Sequence, residues 1–122
     1  MTIVPLLDID RVSVAVGPDD RPDSRPVVDG VSLRIDRGQA HAVIGPADAG
    51  GTALAEALLG SPDRPVTAGR ILLQGDDITT WSTDVRSKAG LFLAFGRPSA
   101  IGGVTVLQLL RRVMGADRAG DP

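Results

Sequence analysis

Gly45, Gly50, Gly51 and Thr52 stand in the stretch "VIGPADAGGTALAEALLG", where an apolar run gives way to small residues and then to helical spacing. A loop that binds the phosphates of a nucleotide has the form G-x-x-x-x-G-K-[ST]. Its glycines let backbone N–H groups wrap the phosphates, its lysine neutralises their charge, and its hydroxyl holds magnesium. Here the framing glycines Gly45 and Gly50 and the threonine Thr52 are in register, with Pro46 opening the intervening four residues, but Gly51 occupies the lysine position. Asp48 adds a carboxylate inside the loop, where it repels the anion it would surround. Lys88, the single lysine of the chain, lies far downstream in a different expected helix. These residues outline a degenerate phosphate loop, with ATP and magnesium held weakly or not at all. No cofactor is expected, and no metal site beyond a hydroxyl from Thr52 should nucleotide and magnesium bind. Without the lysine, the expected role of Thr52 is to cap the helix that follows.

Other chemistry has little raw material. The chain has no cysteine or tyrosine, one histidine and one glutamate, which excludes disulfides, thiolate metal sites and cysteine nucleophiles. His41 alternates with Ala40 and Ala42 and reads as structural, since a lone histidine cannot make a metal site. Asp8 and Asp10 end an apolar run but precede the phosphate loop, and read as a solvated strand end. Trp81 reads as packing against the next helix. Arg111 and Arg112 read as a solvated helix end suited to the helix dipole. The net charge of −2 gives no basic footprint for nucleic acid. Neither a membrane span nor a signal segment is visible, so the expected location is the cytoplasm.

The elements that must position these residues follow from periodicity. "LLDIDRVSVAV" (6–16) alternates in part as a strand, and "GPDDRPDSRP" (17–26) is a loop. "VVDGVSLRID" (27–36) is a strand with Val31, Leu33 and Ile35 on one face. "QAHAVIG" (39–45) is expected as a further strand, and "TALAEALLG" (52–60) as a short helix stopped by Gly60. A strand over 70–75, a helix over 82–90 opened by Ser82, a strand over 91–95 and a helix over 104–115 complete the pattern. Residues 1–115 form one domain and 116–122 a flexible tail. No internal repeat is present.

Several phrases together resemble ABC-type ATPases: "LLDIDRVSVAV", "VVDGVSLRIDRGQAHAVIGP", "LAEALLGSPDRPVTAGRILLQGDDIT" and "GLFLAFGRPSAIGGVTVLQLLR" look like consecutive parts of the family's N-terminal half. "LGSPDRPVTAG" and "LFLAFGRP" followed by "IGGVTV" are similar to the ATPase of Suf iron–sulfur cluster assembly (SufC-type). The resemblance runs from Leu6 to Arg112. It implies an α/β fold: a partial ABC nucleotide-binding domain with an antiparallel β segment, an incomplete parallel core sheet and flanking helices. Within it, Gly96 stands where the family has the glutamine that contacts magnesium and the attacking water. The family's signature sequence, Walker B acid and switch histidine have no counterpart here. The resemblance therefore implies no catalytic residue and no hydrolysis by this chain alone. It leaves two expectations. One is a non-catalytic protein acting through protein contacts, with 97–103 matching a region that meets the family's scaffold partner. The other is a residual ATP-binding subunit completed in trans. The expected partners are a Suf-scaffold-like protein, a chain supplying the missing half, or a second copy. The vacant place beside the phosphate-loop strand would leave an unpaired edge.

Overall fold

The computed structural model describes residues 3–17, 25–94, 96–97 and 99–118. β1 (Leu7–Val14) is flanked on one side by β2 (Val28–Ile35) and on the other by β3 (Val66–Leu73), both antiparallel, and β3 carries the short β4 (Asp76–Asp77). Three helices are described: α1 (Gly51–Leu59), α2 (Thr83–Lys88) and α3 (Val106–Arg118).

The partial alternation of β1 has a structural cause. Leu7 and Ile9 are apolar at odd positions, whereas Val12 and Val14 are apolar at even ones. An extra residue between them restores both pairs to the core face, and the register shifts there against β2 and β3 alike. Arg11 takes up the bulge at φ 49°. Gly69 lies opposite at φ 79°, where a Cβ would run into the carbonyl oxygens of Asp10 and Arg11, so only glycine fits. Val31, Leu33 and Ile35 lie half-buried on one face of β2, as their alternation requires.

The core joins Ile9, Val12, Val14, Val28, Ile71 and Ile78 to Ala53, Leu54 and Ala57 of α1. Trp81 packs against this cluster half-buried, in keeping with a packing role. α1 ends at Gly60, which is left-handed (φ 87°); Gly60 N–H donates to Ala57 O and Ser61 N–H to Glu56 O, the paired closure of a Schellman motif. α3 opens with a reciprocal capping box: Gln108 N–H donates to Thr105 Oγ1 (3.2 Å) and Thr105 N–H to Gln108 Oε1 (2.8 Å). It runs to Arg118, past the glycine at 115 that the sequence reading took as its end.

Two expected strands are corrected. Residues 39–45 and 91–94 are not paired in any sheet, and among the described residues the sheet is antiparallel throughout; residue 95 lies outside them. Both runs are apolar on successive residues, the pattern of a strand buried on both faces of a parallel sheet. No described strand lies beside them, so the propensity is present without the pairing it needs. Ile44 and Phe92 are accordingly 92% and 90% exposed. β3 begins at Val66, ahead of the expected start at Arg70.

Candidate phosphate-loop site

The loop is built between a segment in no helix or strand and α1. Ala49 N–H donates to Pro46 O (3.0 Å), which turns the chain over residues 46–49. Gly50 follows at φ 95°, ψ 8° and stands at the N-cap of α1. A Cβ there would lie 2.8 Å from Val27 O and 3.1 Å from Val28 Cγ2, so the loop's end is seated tightly on the start of β2. The backbone thus requires glycine at this position for both its dihedral and its close approach.

The first i→i−4 hydrogen bond of α1 runs from Leu54 N to Gly50 O (2.9 Å). The amides of Gly51, Thr52 and Ala53 are therefore the unsatisfied donors of a helix N-terminus, an arrangement suited to an anion. Gly51 is exposed, and a Cβ built on it meets nothing within 4 Å. A lysine would fit. The side chains around this turn do not favour phosphate, however: from Gly38 to Asp63 the sequence holds Asp48, Glu56 and Asp63 and neither lysine nor arginine. Backbone geometry suits an anion, whereas the charges required to hold ATP and magnesium are absent.

Thr52 does not cap α1. The N-cap is Gly50, with no side-chain cap bond, and Thr52 lies exposed inside the first turn. The helix starts earlier than its sequence pattern suggests because Gly50 can adopt the left-handed conformation that turns the loop into it. Gly45 lies close to Ala49, with a built Cβ 3.2 Å from the Ala49 Cβ, and Pro46 accepts the turn's hydrogen bond. The structure thus gathers Gly45, Pro46, Gly50, Gly51 and Thr52 into one turn. Gly96 and Arg97 are exposed, and Lys88 is exposed at the end of α2.

The remaining candidates have ordinary partners. His41 is exposed, with Nε2 3.0 Å from Gln39 Oε1. Arg34 donates to Asp8 (3.1 Å), and Arg11 and Arg70 to Asp10 (3.2 and 3.3 Å). The Arg11 hydrogen bond, with a smaller contribution from Arg70, holds the Asp10 carboxyl below its ordinary pKa. Asp8, Asp10, Arg34 and Arg70 line an open depression of about 400 Å³ on the sheet, where each carboxylate already has a guanidinium partner. Among the described residues no cluster of three His, Asp or Glu side chains could hold a metal.

A residue that the sequence reading missed ties this region together. Arg86 of α2 is 2% exposed. Its Nη1 donates to Ala57 O and Leu58 O (both 2.9 Å), its Nε to Trp81 O (2.9 Å) and its Nη2 to Thr79 O (2.8 Å). α1 has no basic residue in its own last turn, so Arg86 supplies the cation at the negative end of the helix dipole. Burial lowers its pKa below the ordinary guanidinium value. Thr83 Oγ1 adds a hydrogen bond to Gly60 O (2.9 Å). Ser82 is the N-cap of α2, as expected, but its hydroxyl donates to Asp84 Oδ1 rather than capping.

The sequence model of the ABC transporter family matches residues 28–110. The chain belongs to the ABC transporter family. Among curated proteins, an ABC transporter ATP-binding protein of Streptococcus pyogenes serotype M18, named as probable, is 34% identical over 116 residues, covering 95% of this chain and 43% of its own. Vegetative protein 296 of Bacillus subtilis is 42% identical over 96 residues, covering 79% of this chain and 37% of its own. Among solved structures, a bacterial Atm1-family ABC exporter with ATP bound superposes with a TM-score of 0.55 at 28% identity, over 73% of this chain and 15% of that one. The fold is thus a partial ABC nucleotide-binding domain, and the chain spans about two-fifths of the length of these two curated relatives. No helix among the described residues is long and apolar enough to cross a membrane.

Proposed function

We propose that this chain is a non-hydrolysing ABC ATPase-like component that acts in the cytoplasm through protein–protein contact. By the resemblance of its "LGSPDRPVTAG" and "LFLAFGRP" phrases, it would be related to iron–sulfur cluster assembly, with a Suf-scaffold-like protein as a candidate partner. One observation carries the reading: the turn that should cradle phosphate is folded, yet Gly51 stands in the lysine position with open space above it and Asp48 stands in the loop. The charge that would neutralise a triphosphate is missing, although nothing steric forbids it. Calorimetric titration with ATP and magnesium tests this directly. No saturable heat is expected up to millimolar nucleotide, and micromolar binding by the chain alone would overturn the proposal.

The first-turn amides of the exposed Gly51 and Thr52 favour a second reading, in which the turn still holds nucleotide weakly once another chain supplies acids and cations. The same titration after a partner is bound separates the two.

A further inference from the structure

α3 is the longest described helix and the least covered. Every residue from Ile101 to Gly115 is exposed, and the apolar side chains Val106, Leu107, Leu109, Leu110, Val113 and Met114 are each 49–74% exposed. The capping box at Thr105 and Gln108 fixes where the helix starts, but a helix of 13 residues draws most of its stability from packing an apolar face. The sequence supplies such a face. At about 100° per residue the six apolar side chains fall within an arc of about 160°, with Leu109 at one border and Leu107 at the other. Arg112 lies about 60° beyond the Leu109 border and Arg111 about 40° beyond the Leu107 border, while Gln108 and Gly115 occupy the opposite pole.

The charges decide between occupants. From Val106 to Gly115 there is no acidic residue. Packing α3 against α3 of a second copy would set arginine borders side by side with nothing in either stretch to neutralise them. A protein groove would have to offer acids along both borders of an apolar floor. A bilayer interface that contains anionic lipid supplies everything at once: acyl chains for the arc, and phosphates for guanidiniums whose methylene stems lie along the apolar surface. At about 1.5 Å per residue the apolar stretch is roughly 13 Å long, so it lies in such an interface and does not cross it.

We infer that α3 is an interfacial anchor, which lays Val106, Leu110 and Val113 into the surface of a membrane containing anionic phospholipid and holds Arg111 and Arg112 at the headgroups. This goes beyond the function proposed above and does not depend on the state of the phosphate loop. The whole chain carries a net charge of −2, so the attraction is local to α3 and is screened by salt.

Cosedimentation of the full chain with vesicles tests this. At low salt, vesicles of equimolar phosphatidylcholine and phosphatidylglycerol should bind the chain roughly tenfold more tightly than pure phosphatidylcholine, and bound chain should show slowed amide exchange from Val106 to Met114. Arg111→Gln with Arg112→Gln should weaken binding to the mixed vesicles by roughly tenfold and flatten its salt dependence. Leu110→Gln with Val113→Gln should weaken it by roughly tenfold or more, yet leave the circular dichroism of the free chain unaltered, because both side chains are already exposed. Failure to bind the mixed vesicles, equal binding to both kinds, or binding indifferent to either pair of substitutions would overturn the inference. So would a dimer in solution that shields 106–114 and leaves no chain able to bind vesicles.

Discussion

Replacing Arg86 by Met removes the guanidinium and keeps an unbranched side chain to fill its place. Four hydrogen bonds of 2.8–2.9 Å are lost. Ala57 O retains the Gly60 amide, but the carbonyls of Leu58, Thr79 and Trp81 lose the partner that Arg86 gives them. A part-buried carbonyl left without a partner costs about 1 kcal/mol, at the low end of the usual range, giving roughly 3 kcal/mol in all. Relief of the desolvated charge offsets some of this, and loss of the cation at the end of α1 adds to it. Against the roughly 5–15 kcal/mol that holds an ordinary domain together, this is a large fraction. Trp81, the only tryptophan, sits beside the change and reports on it. Urea unfolding followed by its fluorescence should shift to lower denaturant by about 1–3 M, for a slope near 1–3 kcal/mol per M. Arg34→Met serves as the comparison. Its exposed pair with Asp8 should be worth no more than about 1 kcal/mol. A shift for Arg86→Met below 1 kcal/mol, or equal to that of Arg34→Met, would refute the assignment of Arg86 as the clamp between α1 and α2.

Restoring the missing charge is the second test: Gly51→Lys with Asp48→Gly should turn undetectable ATP binding into measurable binding by calorimetry, because the turn is formed and position 51 is open. Gly50→Ala should destabilise the chain by roughly 1–3 kcal/mol in thermal or urea unfolding, through a left-handed dihedral and a clash with Val27 O. The pH profile has a definite sign. Asp10, Asp77 and Asp84 have folded pKa values below 3.8, lowered first by hydrogen bonds from Arg11, Thr79 and Ser82 respectively. Their contribution is present above that pH and is lost as the pH falls through the lowered values. The urea midpoint should therefore be insensitive to these groups between pH 5 and 7 and fall below about pH 4, with a smaller acid drop in Thr79→Val.

Local signals made much of the fold legible. Leu54, Ala57 and Gly60 define α1 and its stop, and the alternation at Val31, Leu33 and Ile35 defines β2. The spacing of Gly45, Gly50 and Thr52 located the degenerate turn. What failed depended on partners that local pattern does not contain. Residues 39–45 have the composition of a buried strand, but a strand exists only when another lies beside it. β4 is a pair of aspartates, Asp76 and Asp77, of low strand propensity, held where the turn at Gln74 and Gly75 folds them back on β3. Thr52 looked like a cap because threonine often is one, whereas glycine at position 50 took that place through its backbone. Arg86 reads in "STDVRSK" as one more solvated charge on a polar helix. Its burial arises only because the end of α1 and the turn at Thr79–Trp81 converge on it, and "TVLQ" at 105–108 was the one overlooked signal that sequence did carry.

The central position of β1 also bears on how the chain is born. Leu7–Val14 leaves the ribosome ahead of both its neighbours, and β2 reaches it early, but its other neighbour, β3, follows only after the phosphate-loop turn and α1 have been made. At ~5–20 residues per second, the interval from Val14 to Val66 is on the order of several seconds. Throughout that time one edge of β1 lacks its final partner while the chain is still growing. The nascent protein must therefore cross a period of exposure during synthesis, and slowing translation between β2 and β3 should lengthen its exposure to chaperones and misassembly.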